Sequence, residues 1–112
     1  MATDAPIELT PLLQALADPT RLDVVQALSH GPRRAGELAE LSGLSASAIS
    51  KHLRILLQAG VVTDERSADD ARLRIFRLQP TSVLALRAWL DQLQALWDEQ
   101  LGSFKRHVET PR

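Results

Sequence analysis

Apolar positions along this chain recur at helical spacing over most of its length and alternate over one short stretch. Leu9, Leu12, Leu13 and Leu16 lie three and four residues apart, so they share one side of a helix. Thr10-Pro11 offers an N-cap followed by proline at the first helical position, which predicts a first helix over 10–17. Asp18-Pro19 repeats the device and opens a second helix over 20–29, with Leu22, Val25 and Leu28 inward and Gly31-Pro32 ending it. A short third helix over 35–41 places Leu38 and Leu41 three apart, and Gly43 stops it. Ser45 then caps a fourth helix over 46–58, closed by Gly60. On it Ile49, Leu53 and Leu56 form a buried stripe, while Ser47, Lys51, Arg54 and Gln58 gather on the opposite side.

The spacing changes after Gly60. Residues 61–66 and 72–78 read as two strands around a Ser67-Ala68-Asp69-Asp70 loop, the second alternating Arg72, Leu73, Arg74, Ile75. Pro80 opens a last helix over 80–109, along which Leu86, Leu90, Leu93, Trp97, Leu101, Phe104 and Val108 recur three or four apart. A stripe that long exceeds what the rest of a small domain can cover, so it calls for a partner. The ends, Met1–Pro6 and Thr110–Arg112, are expected to fray.

Two helices joined by a tight glycine-containing turn, followed at once by an arginine-bearing hairpin, define a winged helix-turn-helix. The fold class expected is mainly α with a β-hairpin wing, five helices and two strands. One domain is expected over 1–112, with the helix-turn-helix at 35–59, the wing at 61–78 and dimerisation helices at 10–17 and 80–109. A helix of this kind fits the major groove of duplex DNA, where short hydroxyls and long cations reach base edges and phosphates. The candidate DNA contacts are Ser45, Ser47, Ser50, Lys51, His52 and Arg54 on the fourth helix, with Arg72 and Arg74 on the wing. His52 lies toward the flank of the apolar stripe, where packing and DNA contact are both open to it.

Charge changes this picture only in its placement. Thirteen Lys and Arg against fourteen Asp and Glu leave a net charge of -1, unlike many nucleic-acid binders. From Ser45 to Gly60, however, there are two cations, Lys51 and Arg54, and no acid. In the wing Asp64, Glu65, Asp69 and Asp70 offset Arg66, Arg72, Arg74 and Arg77, and a tip bearing Asp69-Asp70 is expected to stand off phosphate. The 112 residues contain no cysteine, which removes disulfides, thiolate metal sites and thiol redox sensing. The amino-terminal residues lack the basic start and apolar run of a signal peptide, and no stretch reaches the ~18 apolar residues of a membrane span. A cytoplasmic protein without membrane contact is expected.

Leu16-Ala17-Asp18-Pro19-Thr20-Arg21-Leu22, Glu37-Leu38-Ala39, Leu44-Ser45 through Ile49-Ser50-Lys51-His52-Leu53, and Leu56 with Ala59-Gly60-Val61 resemble the ArsR family of bacterial winged-helix repressors. The resemblance implies a homodimer paired through the first and last helices, binding an imperfect inverted repeat in double-stranded DNA, usually as a repressor. The interface residues are then Leu9, Leu12, Leu13 and Leu16 with Leu86, Leu90, Leu93, Trp97, Leu101 and Phe104. The chain departs from the family's metal sensors. Arg34-Ala35-Gly36 stands where their cysteine-bearing segment lies, Asp91 is followed by Leu93 rather than a second ligand, and His107 stands alone. No metal and no cofactor are expected, which points to the metal-independent type. An inducing small molecule is left open, and the residues do not identify one. No nucleophile elbow, phosphate loop or paired carboxylates suggest catalysis, so an enzyme is not expected. The other reading is a winged-helix protein–protein module without specific DNA binding, favoured by the acidic balance and the acidic wing tip.

Overall fold

A computed structural model describes residues 8–109. The two ends expected to fray lie outside the described residues. Eight elements follow in order: α1 Leu9–Leu16, α2 Pro19–Leu28, β1 Arg33–Arg34, α3 Ala35–Ser42, α4 Ala46–Gln58, β2 Val62–Arg66, β3 Arg74–Leu78 and α5 Pro80–Glu109. The strands form one antiparallel sheet in the order β1-β3-β2. Five helices and the β2–β3 wing match the expected winged helix-turn-helix, and β1 is an addition. It is two residues long, pairing Arg33 with Phe76 and Arg34 with Ile75, too short to leave any alternation.

Local chemistry explains most boundaries. Asp18 accepts a hydrogen bond from the Arg21 backbone N–H at 3.0 Å, and Pro19 occupies the first position of α2. Gly43 takes the left-handed conformation, φ 67°, that ends α3 and lets the Leu44 N–H bond the Ala39 carbonyl at 3.0 Å. Ser45 accepts from the Ala48 N–H at 3.2 Å at the start of α4. The first helix differs from expectation. It begins at Leu9 after Glu8, with no side-chain cap, so Thr10 lies inside it. Pro11 then sits third, still in the first turn, where a missing N–H removes no helical bond.

The core joins Leu12, Ala15, Val24, Leu28, Leu38, Ile49, Leu53, Leu56, Val61, Val62 and Phe76. Three assignments made from spacing are corrected. Leu22 is exposed, because α2 turns Val24 and Leu28 inward, and Leu22 lies about 160° around the helix from Val24. Leu41 is 62% exposed, because α3 faces the core with Ala35, Leu38 and Ala39. Leu12 is 1% exposed, packed inside its own protomer, and so has no surface for a second copy. In the second wing strand Phe76, not Leu73 or Ile75, is the fully buried residue, and that strand begins at Arg74.

Among the described residues the last helix is anchored at its start. Ser82, 3% exposed, donates to the Gln79 carbonyl at 2.7 Å, and Leu86 packs against the core. Every residue from Leu90 to Leu101 is exposed. Leu90, Leu93, Trp97, Leu101, Phe104 and Val108 all fall within an arc of about 80° at 100° per residue.

Candidate nucleic-acid interface

The surface of α4 follows from how its inner face is held. Ile49, Leu53 and Leu56 are at most 2% exposed, which fixes the helix's rotation. That rotation leaves Ser47, Ser50, Lys51 and Arg54 in solvent, and no ion pair among the described residues involves Lys51 or Arg54. Ser45, at the N-cap, also places its Oγ 3.3 Å from that of Ser47, so two hydroxyls crown the start of the helix. There the first backbone N–H groups lack helical acceptors and carry the positive end of the helix dipole, an arrangement suited to a phosphate.

His52 is half-buried rather than displayed. Its Nδ1 lies 3.4 Å from Nη1 of Arg21, whose Nε donates to the Ala15 carbonyl at 2.7 Å and whose Nη2 donates to the Gln14 carbonyl at 3.5 Å. One guanidinium thus satisfies carbonyls at the end of α1 and braces α4 from behind. The Arg21 backbone N–H, opposed by modest desolvation and helped by the guanidinium charge, holds the Asp18 carboxyl below the usual carboxylate range. Asp18 and Arg21 therefore have a structural task, which a motif match alone does not reveal.

The wing presents its cations differently. Arg72 forks onto Asp70, with Nε–Oδ1 3.0 Å and Nη2–Oδ2 2.9 Å, and the Arg72 backbone N–H donates to Oδ1 at 3.0 Å. Arg74 pairs with Asp64 at 2.5 Å and lies over the Phe76 ring, 5.1 Å from its centroid. Arg77 pairs with Glu65, and Arg66 donates to the Ala71 carbonyl at 3.3 Å. Asp64 stands opposite Phe76 and Glu65 opposite Ile75, so both ion pairs are diagonal across the ladder, one on each face. The Asp70 carboxyl is held below the usual range, first by the Arg72 side chain, then by its backbone N–H, with a smaller contribution from the charge of Arg34. Arg34, unmarked by any motif, thus faces the wing from the start of α3.

Among the described residues no three His, Cys, Asp or Glu side chains gather as a metal set, and no helix is long and apolar enough to cross a membrane.

A helix-turn-helix with an acid-free, solvent-facing second helix and an adjoining three-stranded wing defines a winged helix-turn-helix DNA-binding protein. Residues 18–64 match the model of the arsR family of bacterial regulatory proteins. The chain is 37% identical over 97 residues to the HTH-type transcriptional regulator Rv2034 of Mycobacterium tuberculosis, covering 87% of this chain and 85% of the relative. It superposes on the crystal structure of an ArsR family transcriptional regulator with a TM-score of 0.72 at 33% identity, covering 80% of this chain and 96% of the other. The fold is also that of the homodimeric winged helix-turn-helix domain Mb0332 from Mycobacterium bovis, with a TM-score of 0.61 at 22% identity over 93% of this chain and 87% of the other. The chain belongs to the ArsR family, and it is a DNA-binding transcriptional regulator.

Proposed function

We propose that the protein is one domain that acts as a cytoplasmic homodimeric repressor, binding an inverted repeat with one α4 in each of two major grooves. The observation that carries this reading is the acid-free face of α4, where neither Lys51 nor Arg54 enters an ion pair among the described residues. Ser45 takes a backbone phosphate at the helix start, Ser47, Ser50, Lys51 and Arg54 reach base edges and phosphates, and His52 sets the helix against Arg21. Arg72 and Arg74 contact the neighbouring backbone or minor groove by exchanging carboxylate for phosphate. A dimer lying across a promoter excludes other proteins from that DNA, which is repression without any catalytic step. Control is independent of metal, in keeping with the ligand-poor Arg34-Ala35-Gly36 segment and the separated Asp91 and His107.

The second copy pairs through α5, with Leu9, Leu13 and Leu16 of α1 at the edge of the interface. A seam about 80° wide suits a facing helix better than a broad flat partner. Mb0332 is homodimeric, and the exposed seam from Leu90 to Val108 supplies this chain with the means. Trp97→Asp tests this directly. Trp97 is 61% exposed in the protomer, so the carboxylate costs the lone chain little, yet it would be buried unpaired in a dimer. Light scattering should give twice 12.3 kDa for the parent and 12.3 kDa for a folded variant. A parent that stays at the single-chain mass at all concentrations refutes the dimer. Footprinting on the protein's own upstream region should show two protected half-sites about one helical turn apart. A single unsymmetrical footprint refutes the two-fold arrangement.

A further inference from the structure

Between the start of α3, the outer face of α4 and the loop-side half of the wing lies a cleft of about 490 Å³. Four arginines line it, Arg34, Arg54, Arg72 and Arg74, and no carboxylate-bearing residue does. Two of the four, Arg72 and Arg74, carry ion pairs with Asp70 and Asp64 outside the lining, while Arg34 and Arg54 form none among the described residues. Below the arginine rim, the half-buried Leu57 and Leu73 form a floor beside the buried Leu53 and Phe76, and Ser50 adds a hydroxyl to the lining. The space is real at backbone level too, because a Cβ added at Gly36 would meet nothing within 4 Å.

Rim and floor together specify a ligand class. A concave site of this size suits a small molecule, with apolar side chains to hold its body and polar groups to fix its orientation. Arginines brought to the cleft from three elements select a carboxylate or phosphate, which a guanidinium binds in a planar fork. A phosphodiester backbone would use the rim and leave the floor empty. We propose that this cleft binds a small amphiphilic organic anion, an acid or phosphate ester with an apolar body, and that its occupancy excludes DNA. The exclusion rests on the DNA-binding reading above: Arg54, Arg72 and Arg74 would hold either the ligand's anionic group or nucleic-acid phosphates, but not both at once. The same arginines would let a regulator with no metal set among its described residues sense a chemical signal.

The test uses phenyl phosphate as probe on the full-length protein, followed by amide chemical shifts. Saturable shifts should concentrate at Gly36, Ser50 and Leu73, with inorganic phosphate weaker for want of a body to fill the floor and benzyl alcohol weaker for want of charge. Arg34→Ala should weaken phenyl phosphate by about tenfold. Gly36→Glu should do the same by putting a carboxylate into the cleft, at an exposed first-turn helix position that tolerates an acid. Both variants keep every core residue, and their unchanged shifts elsewhere verify folding. No saturable shift at millimolar phenyl phosphate, equal affinity for inorganic phosphate, or undiminished affinity in Gly36→Glu overturns the site. A competition arm follows a random-sequence duplex at low salt by anisotropy, and phenyl phosphate should displace it from the parent but not from Gly36→Glu. Saturable shifts without displacement overturn the exclusion. The shift titration needs no DNA, so failure of the ligand site is distinguishable from failure of the DNA-binding reading.

Discussion

Helix α4 and the wing carry the same kind of charge and hold it in opposite ways. Lys51 and Arg54 project from a helix whose outer face has no acid within its length, and neither enters an ion pair among the described residues. Arg72, Arg74 and Arg77 each hold a carboxylate, from Asp70, Asp64 and Glu65. The difference has a geometric origin. On a helix, opposite charges meet only at spacings of three or four, and α4 has no acid to offer at any spacing. In a hairpin the register brings residues ten or more positions apart into diagonal contact, so acids on β2 reach arginines on β3. A cation on α4 is therefore immediately available to DNA, whereas a wing cation must exchange one anion for another. Exposed pairs of this sort are weak, so the wing's contribution is conditional rather than absent.

The comparison breaks first at Phe76, which anchors the wing to the body while α4 keeps its own anchors Ile49, Leu53 and Leu56. Phe76 is 2% exposed and lies beneath Arg74. Phe76→Ala should cost about 3–5 kcal/mol, a large part of the roughly 5–15 kcal/mol stability of a small domain. Urea denaturation followed by circular dichroism reads it, and an unchanged midpoint would mean that the wing is not packed as described. Next in size is the contrast between the two surfaces. Arg54→Ala should weaken operator binding by about 1–3 kcal/mol where the contact is to a base edge. Arg72→Ala should weaken it less, and alike on operator and scrambled duplexes, because the lost contact is to phosphate and Asp70 had already claimed part of the charge. Fluorescence anisotropy across a salt series measures both variants. Equal losses, or a larger loss at Arg72, would reverse the ranking of the surfaces.

What could be read from residues alone follows the range of the interactions that decide each feature. Caps and stops were legible at Asp18, Gly43 and Ser45, because each acts on a backbone group within a turn of itself. The α4 stripe was legible too, since Ile49, Leu53 and Leu56 admit a single helical rotation. On α2 the spacing admitted two, and neighbouring helices chose Val24 over Leu22. Leu12 illustrates the same limit: periodicity marks a face as apolar but not whether its own protomer or a second copy covers it. The pairings of Arg74 and Arg77 depend on register, that of Arg72 with Asp70 on the turn of the loop between the strands, and β1 on two residues that meet β3 across the body. The counts of charge in the wing were legible, whereas which acid meets which arginine was not. Arg34 was passed over because its importance comes only from what the fold sets opposite it, the α4 face and the Asp70 loop.

The smallest effect expected is also the sharpest test of the exchange idea. Asp70→Asn keeps the shape of the wing loop and the acceptor for the Arg72 backbone N–H, but removes the charge that occupies the Arg72 guanidinium. DNA affinity should then rise slightly, since phosphate no longer competes with a carboxylate. The sign of the pH dependence follows from the direction of the Asp70 shift. Its carboxyl is held below the usual carboxylate range in the folded protein by Arg72, so it stays ionised as pH falls from neutral. The stabilisation it gives the loop is fully present above the unfolded value and is lost only as pH drops through the lower folded one. From pH 7 to about 5 the parent therefore keeps Asp70 charged. The ratio of their affinities should be flat across that window when both are measured by anisotropy at constant ionic strength. A ratio that shrinks toward pH 5 would mean that Asp70 already binds a proton there and that its grip on Arg72 is looser than the forked geometry implies. A variant that binds DNA more weakly than the parent would show that Asp70 positions Arg72 for its phosphate instead of competing for it.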